Sequence, residues 1–575
     1  MRSARVAPAH RIDLPSWRAG AVFGALALLF LVLAGRSLYL QGVNNDFLRS
    51  QGEARYSRLL EVPAHRGRIV DRHGEALAIS TQVKSLWAFP DRLQATPAQW
   101  QALAKVLEVT PQALKRRVGA ADDFVYVARR LPPETAQRAM ALRITGLHEE
   151  NEFRRYYPGG EILGHVLGFT GDRDLGQEGI ELAQQAWLGG RSGSRRVIIN
   201  RRGDVVEDVQ SIREPQAGRD LVLSIDSRLQ ALAFRELKAA VEQHKARAGG
   251  LVMIDVTSGE ILALANLPAF NPNRREKLAR DRMRNRALTD VFEPGSTLKP
   301  FTVAAALEAG TVRPDTVIDT QKGFISVGGA TLRDAHPAGP LTVAQIVQKS
   351  SNVGSAKLAL GMPAERLHRA LTEAGFGASV QSGYPGEVPG RVRPAKSWKP
   401  VEQATISYGH GISTNLVQLA RAYTIFATDG ELVPVTLMKA GAPAAGRQVL
   451  RPETARTLRA MLETVTRPGG TAPKAQVVGY RVAGKTGTAH KLENGRYADR
   501  YLASFVGFAP VSSPRIVVAV MIDEPSGGVY YGGSVAAPVF SNVVGASLRL
   551  LGVPADAPSD NVILPPDGME IREET

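Results

Sequence analysis

The chain has 575 residues, 44% of them hydrophobic and 22% charged, a globular composition long enough for two or more domains. Its formal charge of +16 is spread along the sequence with no zinc-finger spacing or RNA-binding aromatic motif, which points to a membrane or an acidic polymer and away from nucleic acid. The absence of cysteine excludes disulfides, thiol nucleophiles and thiolate metal sites, so any covalent nucleophile is an oxygen or an amine.

From Ala19 to Gly35 the chain reads AGAVFGALALLFLVLAG without a charge, and Leu38 to Leu40 extend the run. At about 1.5 Å per residue, some twenty residues cross the ~30 Å hydrocarbon layer. Arg2, Arg5, Arg11 and Arg18 precede the run against one acid, Asp13. The positive-inside rule then puts residues 1–18 in the cytoplasm, residues 19–40 in the membrane and everything after Leu40 outside. Val32 and Ala34 also fit a signal-peptide cleavage site, although the apolar run is longer than a signal core of about 7 to 15 residues.

Residues 41–218 read as a juxtamembrane segment followed by an elongated mixed α/β pedestal. Within it RGRIVDRHGEALAIS, Arg66 to Ser80, predicts a strand, a tight turn at Arg72 to Gly74 and a second strand. Glycines in YYPGGEILGHVLGF, GQEGIE and GGRSGS mark turns and irregular structure. Around Arg219 the character changes, and DLVLSIDSRLQALAFRELKAAVEQH runs from an apolar strand into an amphipathic helix. Strand pairs follow around Val256 to Gly259 and around Ser512 to Arg515, with a mainly helical block between them. Residues 219–554 therefore read as an α+β domain, an antiparallel sheet flanked by helices, and the polar, acidic residues 555–575 as a disordered tail.

Three short motifs fall in that domain. In FEPGSTLKPF, a turn at Pro294 and Gly295 leads into a helix that puts Ser296 and Lys299 one turn apart on one face. A serine hydroxyl is a weak nucleophile until a base takes its proton, and a desolvated lysine can serve as that base. Taken alone, the pair also reads as a helix cap beside a surface lysine. In KSSNVGSAKLAL, Ser350 can relay a proton and the Asn352 amide can both donate and accept, although Ser350, Ser351 and Asn352 also read as plain helix capping. In VAGKTGTAH, Lys485, Thr486, Gly487 and Thr488 lie on a predicted strand, and the glycine suggests close approach of a peptide laid along the edge. A bulge or turn is the alternative.

In this order and bracketed by strand pairs, Ser-x-x-Lys, Ser-x-Asn and Lys-Thr-Gly resemble the set shared by penicillin-binding proteins and serine β-lactamases. RGRIVDRHGEALA resembles the motif of the non-catalytic domain of class B penicillin-binding proteins. RRYYPGGEILGHVLGF, GQEGIE, RNRALTDVFEPGSTLKPF, KSSNVG and YYGGSVAAPVF resemble their division-specific, FtsI-type branch, also called the penicillin-binding protein 3 family. Asn352 supports that branch, because the elongation-type proteins tend to carry aspartate in the corresponding motif. The likeness runs from about Phe47 to Pro554.

This resemblance implies a peptidoglycan D,D-transpeptidase that acts in septal cell-wall synthesis and is a target of β-lactams. Ser296 would attack the D-Ala-D-Ala carbonyl with Lys299 as general base, and a neighbouring stem's amine would resolve the acyl-enzyme. Weak D,D-carboxypeptidase activity is compatible with the same intermediate. Ser350 would shuttle the proton, Asn352 orient the substrate, Lys485 support the field, and Thr486 and Thr488 hold the terminal carboxylate. The backbone amides of Ser296 and Thr488 would form the oxyanion hole. Tyr501, Tyr530 and Tyr531 match aromatic positions that wall the cleft. No metal or cofactor is implied.

The implied partners are stem peptides, glycan made from lipid-linked precursor, the membrane, an FtsW-type glycan polymerase and other division proteins, in the inner membrane with the catalytic domain periplasmic. Polymerisation falls to a partner because no acidic glycosyltransferase motif lies between anchor and transpeptidase. A β-lactamase shares the three motifs, but no Glu-x-x-Leu-Asn element lies between the second and third. A non-catalytic division scaffold would not require intact motifs. His410 and His490 lie near the motifs and are given no role.

Overall fold

The computed structural model describes residues 15–43, 57–121, 124–199, 205–275, 279–320, 322–493 and 495–564. Most of the expected cytoplasmic segment, the stretch 44–56 and the end of the expected tail lie outside them. The apolar run forms the helix Ser16–Leu38, whose side chains are exposed almost throughout and whose length, at about 1.5 Å per residue, suffices to cross a bilayer.

The chain packs as two compact units. One comprises Met1–Ala64, Lys84–Glu150 and Arg191–Gln216, and the other His65–Val83, Asn151–Gly190 and Ala217–Thr575. Two stretches read as pedestal thus pack in the same unit as the residues after Ala217. In the first unit, Thr96 and Thr110 cap the helices Pro97–Val106 and Pro111–Gly119, each with proline at its start, where a missing N–H costs nothing. These helices bury Leu103 and Leu114 with Leu86 and Val127.

In the second unit, Arg66 and Arg155 both donate to the buried Glu181 carboxylate, each at 2.7 Å. The RGRIVDR and GQEGIE segments are joined there. Asp71, in the turn after Val70, accepts from the Ser227 hydroxyl at 2.7 Å at the start of the next helix.

The main sheet contains β1 (Ala248–Asp255), β2 (Ile261–Leu267), β3 (Ala483–Glu493), β4 (Arg496–Ala509) and β5 (Ile516–Asp523) in the order β2-β1-β5-β4-β3, antiparallel throughout. Five helices matter for the site: α1 (Ser227–Gln243), α2 (Lys299–Glu308), α3 (Asn352–Leu360), α4 (Leu416–Ala427) and α5 (Ala537–Leu550). A Cβ on Gly249 would meet Leu237 and Val241 of α1, whereas one on its neighbour Gly250 would meet Leu416 of α4. Adjacent strand residues point to opposite faces, so α1 covers one face and α4 the other. This double cover is why β1, β2 and β5 are buried at every position.

The strand expected at the third motif pairs with the second strand pair, so the three are consecutive in one sheet. The helical block also contains small two-stranded pairs, such as Phe324–Val327 with Ala330–Arg333. Residues 555–564, read as part of a disordered tail, are held by hydrogen bonds. Asp556 accepts from the Arg481 amide at 2.7 Å, and Asn561 donates to the Val477 carbonyl at 3.0 Å. Composition concealed this because two polar side chains satisfy backbone groups far away in sequence.

Candidate active site

Ser296 lies in the single turn Gly295–Leu298, which runs directly into α2 at Lys299. The turn is fixed from outside. Gly295 (φ +56°) and Gly409 (φ +92°) both adopt left-handed backbone, and a Cβ on Gly409 would sit 2.1 Å from the Gly295 carbonyl oxygen. The first eight residues of α2 are buried, including Lys299, so the lysine side chain is held inside the protein.

Helix Val343–Lys349 ends at Ser350, whose φ of +64° reverses the chain and turns its side chain to Lys299. Ser351 then caps α3, accepting from the Gly354 amide at 2.9 Å and donating to Asp334 at 2.7 Å. The capping alternative thus applies to Ser351 but not to Ser350. Asn352 donates to the Arg333 carbonyl at 3.1 Å.

Lys299 Nζ lies 2.8 Å from Ser296 Oγ and 3.0 Å from Ser350 Oγ, and it donates to the Ser350 carbonyl. Lys485, on β3, places its own Nζ 2.9 Å from Ser350 Oγ. Both lysines are fully buried, and Ser296 is 5% exposed.

β3 is an outer strand of the sheet. Thr486 Oγ1 is 2.8 Å from Thr471 Oγ1, and Thr488 Oγ1 accepts from the Gly532 amide at 3.0 Å. A Cβ on Gly487 would fall 2.6 Å from Ser504 Oγ and 2.9 Å from both the Pro294 oxygen and Thr297 Cγ2. The close approach read from this glycine is therefore made by the turn that carries Ser296.

Tyr501 and Tyr530 stack with ring centroids 3.9 Å apart, and Tyr530 meets Tyr531 at 4.6 Å. Tyr531 precedes Gly532, so the aromatic group is tied to Thr488 through the Gly532 amide.

Sequence reading passed over four residues near the nucleophile. Glu293 accepts from the Gly411 amide at 2.7 Å and the Tyr497 hydroxyl at 3.1 Å, and burial raises its proton affinity against both bonds. His410 is held at about 4, chiefly by burial, so it stays neutral at pH 7. His490 packs on Tyr501 with centroids 4.5 Å apart. Among the described residues no group of three or more His, Asp or Glu is arranged to hold a metal ion.

Residues 249–545 match the family model of the penicillin binding protein transpeptidase domain, and residues 61–223 that of the penicillin-binding protein dimerisation domain. The chain is 42% identical to the probable peptidoglycan D,D-transpeptidase PenA of Neisseria meningitidis serogroup A, over 93% of each chain. It is 40% identical to the peptidoglycan D,D-transpeptidase FtsI of Escherichia coli K12, over 94% of this chain and 93% of the relative. The apo structure of the TP domain from Burkholderia pseudomallei penicillin-binding protein 3 is 49% identical, covers 58% of this chain and 98% of that one, and superposes with a TM-score of 0.55. The chain belongs to the class B penicillin-binding proteins, with a dimerisation-type domain ahead of a transpeptidase domain.

Proposed function

We propose that the chain cross-links peptidoglycan stem peptides through an acyl-enzyme on Ser296. The observation that carries this reading is that Lys299 Nζ lies 2.8 Å from Ser296 Oγ, within reach of its proton. A neutral amine has two N–H donors and one lone pair. In the neutral form an N–H goes to the Ser350 carbonyl, which can only accept, and the lone pair can face Ser296 Oγ at 2.8 Å. The Ser296 O–H donates to it. Complete burial and the second cation at Ser350 both favour this neutral form.

Ser296 Oγ bonds to the carbonyl carbon of the penultimate D-Ala as its proton passes to Lys299. The tetrahedral oxyanion is held by the Ser296 and Thr488 amides. The C–N bond then breaks, and the leaving D-Ala nitrogen takes a proton through the Ser350 hydroxyl, with Lys299 returning to neutrality. An incoming stem amine reverses these steps: it loses a proton to the same pair, bonds to the acyl carbon and releases Ser296. Lys485 stays charged and, with the Thr486 and Thr488 hydroxyls, meets the terminal carboxylate. Asn352 orients the stem, and the stacked tyrosines wall the cleft.

The FtsI relative and the Asn352 motif support a septal role, with an FtsW-type polymerase and other division proteins as partners. The arginines before Ala19 support a cytoplasmic N-terminus and a periplasmic catalytic domain in the inner membrane. The test is incubation with a stem pentapeptide and an acceptor stem. Free D-Ala and cross-linked dimer should form with the parent, and neither with Ser296→Ala; dimer formation by Ser296→Ala would exclude the acyl-enzyme.

A further inference from the structure

Residues 525–531 follow β5 and carry Tyr530 and Tyr531 to the Gly532 amide, which donates to Thr488 Oγ1 at 3.0 Å. Two cavities border this segment and share only Gly528 in their linings. One, of about 710 Å³, is lined by Pro525, Ser526, Gly528 and Tyr530, and the other, of about 600 Å³, by Gly528 and Val529. Ser526, Gly527 and Gly528 are exposed, and Gly528, at φ +95°, has open space where a Cβ would be. Side-chain packing therefore does little to fix the first half of the segment.

The end of α1 fixes it instead. The last carbonyls of a helix lack donors from the helix itself. The carbonyl of His244, the residue that caps α1, accepts from the Ser526 amide at 3.0 Å and from the Gly527 amide at 2.9 Å, and Ser526 Oγ donates to the Lys245 carbonyl at 2.8 Å. The two amides also offset the partial negative charge at the helix C-terminus. Gly527 is matched to this seat, since a Cβ there would lie 3.1 Å from the His244 oxygen and 3.2 Å from its carbonyl carbon and Cα. From the seat only Gly528 to Tyr531 lead on to Gly532, and within that span Tyr530 stacks on Tyr501 at 3.9 Å.

We propose that Ser526 and Gly527 are positioning residues: their seat on α1 holds the tyrosine wall and, through Gly532, the Thr488 hydroxyl in place for the stem. The inference rests on the transpeptidase reading above, which puts substrate against Thr488 and the tyrosines. Unseated, the segment has two cavities to move into, and Tyr530 leaves Tyr501. The stem then binds only the seated fraction of the protein, so apparent affinity falls with that fraction. Saturating substrate restores the seated form, and the chemical step at Ser296 and Lys299 keeps its rate.

The test is D-Ala release from a stem pentapeptide by the full-length parent and four variants, with KM and kcat read separately and thermal unfolding as the fold control. Gly527→Val forces the segment off His244 and should raise KM about tenfold with kcat within about twofold of the parent. Ser526→Ala removes one hydroxyl donor and should raise KM about threefold, within the usual worth of one neutral hydrogen bond, whereas Ser526→Thr keeps the donor and should restore the parental value. Ser541→Ala, on α5, removes a bond of the same kind, from its hydroxyl to the Gln476 carbonyl at 2.6 Å, and should leave KM unchanged. Parental KM in folded Gly527→Val, a fall in kcat at constant KM, or an equal rise in KM from Ser541→Ala overturns the proposal. Should Gly527→Val not fold, Ser526→Ala against Ser526→Thr decides, and equal KM values for the two overturn it. Benzylpenicillin acylation of the parent at Ser296 is read in parallel: its absence faults the transpeptidase reading, whereas acylation with parental KM in the variants faults the seat alone.

Discussion

Lys299 and Lys485 converge on one atom: their Nζ groups lie 3.0 and 2.9 Å from the same Ser350 Oγ. The two lysines differ in what else they touch. Lys299 reaches Ser296 at 2.8 Å, whereas Lys485 turns to Thr486 on β3. Lys299→Arg should lower the second-order acylation rate with a penicillin by about a thousandfold, because a guanidinium keeps its charge and cannot take the serine proton. Lys485→Arg preserves the charge and should cost about tenfold. Equal rates for Lys299→Arg and the parent would remove Lys299 as the base.

Gly487→Ala should lower acylation by about a hundredfold at unchanged secondary structure. The added methyl meets the Pro294 oxygen and Thr297 Cγ2 at 2.9 Å, pushing the nucleophile turn off β3, and small displacements of reacting groups carry penalties of that size. Acylation rates and circular dichroism of the same preparation check it.

Glu181 holds two buried guanidiniums, so Glu181→Gln leaves a surplus positive charge in the protein interior. The expected loss is about 3 kcal/mol or more of unfolding free energy, read as a lower denaturation midpoint in urea. An unchanged midpoint would show that solvent or rearrangement replaces the carboxylate.

Acid should destabilise the protein before its carboxylates titrate. Burial holds His165 and His410 at about 4, against about 6.5 in an unfolded chain. Between those values the unfolded state binds more protons, so stability falls as pH drops from about 6.5 toward 4. His410→Gln should flatten the urea-midpoint profile between about pH 6.5 and 5 relative to the parent. The same slope in both proteins would contradict the assignment.

Much of the site was legible because its chemistry is spelled locally. Two residues between Ser296 and Lys299 fix a one-turn separation, and Lys485 to Thr488 lie on the strand that their apolar flanks predict. Contacts between segments distant in sequence were not legible. Thr471 meets Thr486, Asp334 holds the cap at Ser351, and Gly409 presses on Gly295, yet none leaves a periodic trace. Gly487 was read as a point of close approach, and sequence could not name Pro294 and Thr297 as the neighbours that the fold brings there.

Ser296 is the residue on which the whole account depends. Intact-protein mass spectrometry after exposure to benzylpenicillin, followed by peptide mapping, tests it directly. The account predicts one adduct of the antibiotic's full mass, located on Ser296 and absent from Ser296→Ala. An adduct on another residue, or no adduct on protein shown to be folded, would contradict it.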